Sequence, residues 1–293
     1  MFSGSFVAIV TPMRADGTLD LEAWERLLEF HIAAGTSGVV VGGTTGESAT
    51  LTDEELRTLV VRALARCAGR ISVIAGCGTS STATTAERAR WLGALGVAGL
   101  LVVTPAYNKP TQRGLQLHFE AVAAAASVPL ILYNVPGRTA VDMQPETVAA
   151  LVATPRIAGI KEAVADVGRI RRLRELCGAD FCILSGDDPT ACEATLASAQ
   201  GVISVTANVV PAAMSKMIAA ARAGQRDTAL ALDAPLRSLH ERLFVESNPI
   251  PVKWAVARMG YAGTAIRLPL TPLSTHLHGT VTDALLTAGV RIS

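Results

Sequence analysis

The chain has 293 residues, of which 50% are apolar, a formal net charge of +1 and a mean hydropathy of +0.38. This composition predicts a large folded core and excludes a disordered chain, and the near-neutral charge gives no electrostatic reason to expect nucleic acid or an anionic membrane as a partner. No apolar stretch reaches transmembrane length and the first residues lack a secretion signal, so we expect a cytoplasmic protein that binds a small molecule. The five cysteines show no paired spacing, so we expect neither disulfides nor a zinc site.

Short apolar strands alternate with amphipathic helical patterns along most of the chain. The strands are predicted at residues 6–10, 38–42, 71–76, 99–103, 128–133, 157–160, 181–184 and 201–205. A helical pattern follows each strand, and capping boxes predict two of the helix starts, Thr52 with Glu55 and Thr84 with Glu87.

Eight strand–helix units are the number that closes a (β/α)8 barrel, also called a TIM barrel. A doubly wound open sheet is the competing α/β architecture, but no G-x-G-x-x-G motif follows the first strand. We therefore predict a barrel domain at residues 1–224 and a C-terminal helical region at residues 225–293. Helical patterns at 229–245 and 252–259 indicate that this region could pack on the barrel or on another subunit.

Lys161 is the only one of the four lysines that ends a predicted strand. A buried amine has its charged form disfavoured, and a neutral amine can attack a carbonyl group to form a Schiff base. The alternative is a structural ion pair, with Glu162 or Asp187 as the partner.

Other polar residues follow the carboxyl ends of the strands, where the active site of a (β/α)8 barrel forms. Tyrosines there can transfer protons, the threonine-rich loop after the second strand can bind a carboxylate, and an arginine can bind a second one. The alternatives are filler tyrosines, an ordinary turn and a surface arginine. The candidate residues at this rim are Thr44, Thr45, Tyr107, Tyr133, Arg138, Lys161, Gly186 and Ile203. Because no nucleotide fingerprint is present and no histidine lies near a strand end, we expect neither a metal nor a nucleotide cofactor.

Five motifs resemble the dihydrodipicolinate synthase family, within the superfamily of pyruvate-dependent class I aldolases. They are residues 43–48 (GTTGES), 133–139 (YNVPGRT), 159–163 (GIKEA), 185–188 (SGDD) and 248–253 (NPIPVK). The resemblance runs from Phe2 to about Leu286 with hardly a shift in spacing.

The resemblance implies a lyase in which Lys161 forms a covalent Schiff base with pyruvate and no other cofactor is used. Tyr133, Thr44 and Tyr107 would form a proton relay, with Tyr107 reaching across a subunit interface of a homotetramer built as a dimer of dimers. Thr45 would hold the pyruvate carboxylate and Arg138 the carboxylate of aspartate semialdehyde. Gly186 and Ile203 would line the pocket through their main chain. The product would lead towards diaminopimelate and lysine.

Two related enzymes and one protein of another class are the alternatives. N-acetylneuraminate lyase and 2-keto-3-deoxygluconate aldolase share the lysine and the tyrosine but act on sugar acids. Arg138 and the double threonine favour the synthase. A barrel that only binds a keto acid without catalysis is compatible with the fold alone.

The sequence departs from the family at the site where lysine inhibits some of its members. The positions that contact the effector there read Asp53, Leu56, Ser80, Thr84 and Ala106 in this chain. Most of the polar partners are missing, so we predict weak or absent inhibition by lysine.

Overall fold

Eight parallel strands close into a barrel in the computed structural model, which describes residues 2–292. The strands are β1 (Gly4–Ala8), β2 (Gly38–Val41), β3 (Ser72–Gly76), β4 (Gly99–Val103), β5 (Leu130–Asn134), β6 (Ile157–Glu162), β7 (Cys182–Ser185) and β8 (Gly201–Ser204). Each strand pairs with the next one along the chain, and β1 pairs with β8 to close the barrel, with Phe6 opposite Ile203. The predicted TIM barrel is confirmed.

Helices alternate with the strands and continue beyond the barrel. They are α1 (Leu21–Ala33), α2 (Asp53–Cys67), α3 (Thr82–Ala94), α4 (Gln112–Ala125), α5 (Pro136–Thr139), α6 (Pro145–Leu151), α7 (Val167–Cys177), α8 (Ala191–Leu196), α9 (Pro211–Arg222), α10 (Arg226–Asp233), α11 (Arg237–Arg242), α12 (Ile250–Arg258) and α13 (His278–Thr287). Across residues 2–292, none of the helices has both the length and the apolar character needed to cross a membrane.

The structure bears out one of the two predicted capping boxes. The hydroxyl of Thr52 accepts from the Glu55 N–H at 3.1 Å, and the Glu55 carboxylate accepts from the Thr52 N–H at 2.9 Å. The prediction for Thr84 with Glu87 is wrong, because Ser81 caps α3 by accepting from the Thr84 N–H at 3.3 Å. Ser81 is an equally good capping residue three positions earlier, so the helix begins before the predicted start.

Two details of the predicted rim also differ from the structure. Strand β6 extends past Lys161 to Glu162, because Glu162 still pairs in register with Asn134 on β5. The prediction that Lys161 is the last residue of its strand is therefore wrong by one position. The short helix α5, which begins at Pro136, was not predicted, because four residues are too few to show a helical period.

Two buried clusters hold the fold together. The smaller one fills the barrel interior and includes Phe6, Ile131, Tyr133, Leu184 and Ile203. The larger one lies between the strands and the surrounding helices, and it continues into the region after residue 224 through Ala229 on α10, Val252 on α12 and Leu285 on α13. The C-terminal helices thus share apolar packing with the barrel, while the division into two domains stays a prediction.

Candidate active site

Lys161 lies near the end of β6 and is only 5% exposed. Strand register sets it beside Tyr133 on β5 and Leu184 on β7. The Lys161 Nζ lies 4.3 Å from the centroid of the Tyr133 ring. Tyr133 and Leu184 belong to the apolar cluster inside the barrel, so the amine lies at the edge of that cluster, near the carboxyl end of β6.

The carboxylates proposed as ion-pair partners of Lys161 bind other residues. Within residues 2–292, no carboxylate oxygen lies within 4.0 Å of the Lys161 Nζ. Glu162 pairs instead with Arg169, whose Nε donates to its carboxylate at 2.7 Å. The carboxylate of Asp187 accepts from the Thr190 N–H at 3.1 Å and from its hydroxyl at 2.6 Å. Neither partner of the proposed structural ion pair is therefore available to Lys161.

Glu162 is held by a network on the outer face of β6. Its carboxylate also accepts from the side-chain amide of Asn134, at 3.1 Å, and from the Val164 N–H, at 2.9 Å. Burial raises the pKa of Glu162, and the guanidinium of Arg169 opposes that rise. Because side chains alternate along a strand, this network fixes the end of β6 without entering the barrel.

Gly186 borders the Lys161 side chain, and Ile203 lies in the barrel interior. A Cβ atom at Gly186 would lie 2.8 Å from Lys161 Cε and 2.9 Å from the Ala163 Cβ. Glycine therefore leaves the room that the lysine stem occupies. Ile203 is 1% exposed and belongs to the same interior cluster as Tyr133.

Thr44 and Thr45 lie in a single 3-10 turn, Thr44–Gly46, directly after β2. Thr44 lines a cavity together with Tyr133, so these two predicted residues are brought together. Thr45 is 2% exposed, and its hydroxyl accepts from the side-chain amide of Asn248 at 2.9 Å.

Arg138 lies on α5 and is exposed at the mouth of the barrel. Its Nη2 donates to the main-chain oxygen of Asn248 at 3.1 Å. Arg138 and Asn248 line a cavity that also includes Thr44. The arginine is therefore oriented by the C-terminal region towards the same mouth as the threonine turn.

Tyr107 is the one predicted residue that the single chain leaves apart from the others. Its side chain is 95% exposed, and its main chain has a φ of 71°. A single chain does not bring its phenol to Lys161.

The structure shows a second buried lysine that sequence reasoning missed. Lys253 on α12 and Glu47 in the turn after β2 are 3% and 4% exposed, and the Lys253 Nζ lies 2.5 Å from Glu47 Oε1. The other carboxylate oxygen of Glu47 accepts from the Arg267 N–H at 3.1 Å. Burial lowers the pKa of Lys253, and Glu47 opposes that effect. The sequence feature that could have indicated this buried lysine is its position inside the apolar helical pattern from Ile250 to Val256.

The positions that correspond to the family's lysine effector site are occupied by other contacts. The carboxylate of Asp53 pairs with Arg88 Nη2 at 2.7 Å, and the Ser80 hydroxyl donates to the Ala106 main-chain oxygen at 2.8 Å. Leu56 and Arg88 line the same cavity as Thr44. The side chains of Asp53 and Ser80 are therefore already partnered within the chain.

A closed parallel barrel with a buried amine beside a tyrosine, and with no carboxylate near that amine among residues 2–292, fits a lyase of the class I aldolase type. Comparison with known proteins gives the particular family. A family model described as the dihydrodipicolinate synthetase family matches residues 1–288, and the chain belongs to this family. Among residues 2–292, no group of three or more histidine, cysteine, aspartate or glutamate side chains is arranged to hold a metal ion.

The relatives agree over the whole length of the chain. A 4-hydroxy-tetrahydrodipicolinate synthase from Shewanella sp. (strain W3-18-1) is 55% identical over 100% of both chains. The crystal structure of the chloride-inhibited dihydrodipicolinate synthase from Acinetobacter baumannii, complexed with pyruvate, is 46% identical, with a TM-score of 0.98 over 99% of this chain and 100% of that one. The dihydrodipicolinate synthase from Aquifex aeolicus is 40% identical, with a TM-score of 0.97 over 100% of both chains.

Proposed function

We propose that this protein condenses pyruvate with L-aspartate 4-semialdehyde to form 4-hydroxy-tetrahydrodipicolinate, in the biosynthesis of diaminopimelate and lysine. The observation that carries the proposal is the Lys161 amine, which is 5% exposed and lies beside Tyr133 with no carboxylate partner among residues 2–292. The names of the full-length relatives and the pyruvate complex of the Acinetobacter enzyme support the choice of substrates.

In the first half of the reaction, the amine of Lys161 attacks the keto carbon of pyruvate. The resulting carbinolamine loses water to give a Schiff base, and loss of a methyl proton converts it to an enamine. We assign the proton transfers of these steps to Tyr133, whose ring lies against the amine, and Thr44 shares its cavity. Thr45 holds the pyruvate carboxylate.

In the second half, the enamine carbon attacks the aldehyde of the second substrate. Arg138, exposed at the mouth, provides a guanidinium for the carboxylate of that substrate. The amino group of the bound product then attacks the Schiff-base carbon, which closes the ring and releases Lys161. We assign the lining of the pocket in which these steps take place to Gly186, which borders Lys161, and to Ile203, which belongs to the interior cluster with Tyr133.

We also propose a homotetramer, built as a dimer of dimers, in the cytoplasm. Tyr107 supports the oligomer, because a tyrosine that is 95% exposed in one chain would contribute to the proton relay only across a subunit interface. Gel filtration with light scattering measures the assembly. A monomer with full activity would contradict the role of Tyr107.

Borohydride reduction in the presence of pyruvate tests the central step. Reduction converts the Schiff base to a stable secondary amine, and peptide mass spectrometry locates it. We expect one pyruvyl adduct, on Lys161. Lys253, which is equally buried but ion-paired, serves as the internal control and should stay unmodified. An adduct at another residue, or none, would contradict the proposal.

The second substrate requires a separate assay. The activity of the enzyme is measured with aspartate semialdehyde and with sugar-derived aldehydes under the same conditions. We expect a clear preference for aspartate semialdehyde, because Arg138 supplies a partner for its carboxylate. A preference for sugar aldehydes would instead indicate a lyase or aldolase of the sugar-acid type.

A further inference from the structure

Asn248 connects the C-terminal region to both of the residues that we propose as carboxylate ligands. Its side-chain amide donates to the Thr45 hydroxyl at 2.9 Å, and its main-chain oxygen accepts from Arg138 Nη2 at 3.1 Å. Asn248 is 5% exposed and lies 203 positions along the chain from Thr45. Such a contact exists only because the C-terminal region folds over the mouth of the barrel.

The direction of the first hydrogen bond determines what Thr45 can do. A hydroxyl carries one proton, and when it accepts from an amide its own O–H remains available to donate. Among residues 2–292, the Thr45 hydroxyl has no acceptor for that proton. Because buried polar groups are nearly always hydrogen-bonded, this O–H is available for an acceptor on a ligand, and a carboxylate oxygen is a strong one.

A second contact holds the same two segments together. Glu47, two residues after Thr45, is ion-paired with Lys253, which lies on α12 five residues after Asn248. The main-chain N–H of Glu47 also donates to the Thr44 oxygen at 3.0 Å, which closes the threonine turn. The turn and the start of α12 are therefore joined at two points, so the Asn248 amide and the Thr45 hydroxyl have a fixed relative position.

We propose that Asn248 is a positioning residue for the pyruvate carboxylate, which acts by orienting the Thr45 hydroxyl as a donor. This inference rests on the proposed function, because it assumes that Thr45 binds pyruvate. It assigns the C-terminal region a part in substrate binding as well as in packing. Asn248 acts through Thr45 and takes no part in the chemical steps.

A double-mutant cycle tests this role. The pyruvate concentration that gives half-maximal borohydride trapping is measured for the wild type, Asn248→Ala, Thr45→Val and the double variant. Loss of a hydrogen bond to a charged group predicts an increase of roughly 10-fold to 100-fold for Thr45→Val and a smaller increase, roughly 10-fold, for Asn248→Ala. In the Thr45→Val background, Asn248→Ala should change the half-saturating pyruvate concentration by less than about twofold. The hydroxyl through which Asn248 acts is already absent there, and the effects of coupled residues are not additive.

A matched control separates positioning from general support of the fold. Asn208 is also fully buried, but it hydrogen-bonds only main-chain groups, those of Ala8, Val10 and Val205. Asn208→Ala should lower the melting temperature and leave the half-saturating pyruvate concentration of the folded fraction unchanged. If Asn248→Ala does not fold, Asn248→Ser removes the same donor while keeping a polar side chain.

Two results would overturn the positioning role. One is an unchanged pyruvate dependence in Asn248→Ala or Asn248→Ser. The other is full additivity of Asn248→Ala and Thr45→Val, which would show that Asn248 acts independently of the threonine. Failure of the wild type to trap pyruvate is a different outcome, because it contradicts the proposed function itself.

Discussion

The end of β6 and the start of α12 each bury one lysine, and their surroundings differ. Lys253 is 3% exposed and lies 2.5 Å from the carboxylate of Glu47. Lys161 is 5% exposed and lies against the ring of Tyr133, and among residues 2–292 no carboxylate is within 4.0 Å of its Nζ. Burial alone therefore does not make a lysine a candidate nucleophile in this fold. The missing counter-ion distinguishes the proposed catalytic lysine from the structural one.

The largest expected effect is the loss of chemistry in Lys161→Met. This substitution removes the amine and keeps an apolar stem of similar length. We expect turnover to fall by at least ~10⁴-fold, as happens when a nucleophile is removed. Because no ion pair is broken, the free energy of unfolding should stay the same or rise slightly. Steady-state kinetics and urea unfolding are the measurements, and a large loss of stability would show that Lys161 has a structural partner.

Lys253→Met should lower the stability and spare the chemistry, which is the reverse of the result expected for Lys161→Met. It leaves the buried carboxylate of Glu47 without a counter-ion, which typically destabilises a protein by about 3–5 kcal/mol. We expect the urea midpoint to fall sharply, while the folded fraction still traps pyruvate on Lys161. The double variant Glu47→Gln with Lys253→Met removes both charges and should recover most of the lost stability. If the double variant is no more stable than Lys253→Met, the ion pair does not account for the effect.

Gly186→Ala tests the space around Lys161 while leaving the amine in place. The added methyl group would lie 2.8 Å from Lys161 Cε, so the side chain must shift. A displacement of about 1 Å at a reacting group can reduce the rate by roughly 100-fold, and we expect a loss of that order in pyruvate trapping. Gly137→Ala, where a methyl group would meet no atom within 4 Å, is the matched control. Equal trapping by the wild type and Gly186→Ala would contradict the proposed confinement of the lysine.

Added lysine should have the smallest effect. The amine and carboxylate of a free lysine would need partners at the effector position, where Leu56 and Ala106 offer no polar side chain and Asp53 is paired with Arg88. Each unpaired buried group would cost roughly 1–3 kcal/mol. We therefore expect little or no inhibition in a coupled assay at lysine concentrations that inhibit sensitive members of the family. Potent inhibition would mean that other residues replace the missing partners.

The sequence predicted the alternation of strands and helices, the closed barrel and the rim at which Tyr133 and Thr44 lie. It also singled out Lys161, because a lysine near the end of an apolar strand is a local signal. It misjudged the start of α3, where Ser81 competes with Thr84 as a capping residue. It also missed α5, which is too short to show a helical period.

Local periodicity determined the alternation of strands and helices, and with it the barrel and the rim at which Lys161 lies. Only the tertiary structure decided which buried lysine is compensated, because Glu47 and Lys253 are 206 positions apart and no local pattern relates them. The same holds for Asn248 and Thr45, 203 positions apart. Hydrogen bonds and ion pairs between distant segments depend on how the C-terminal helices pack over the barrel mouth, and hydrophobic periodicity carries no information about that packing.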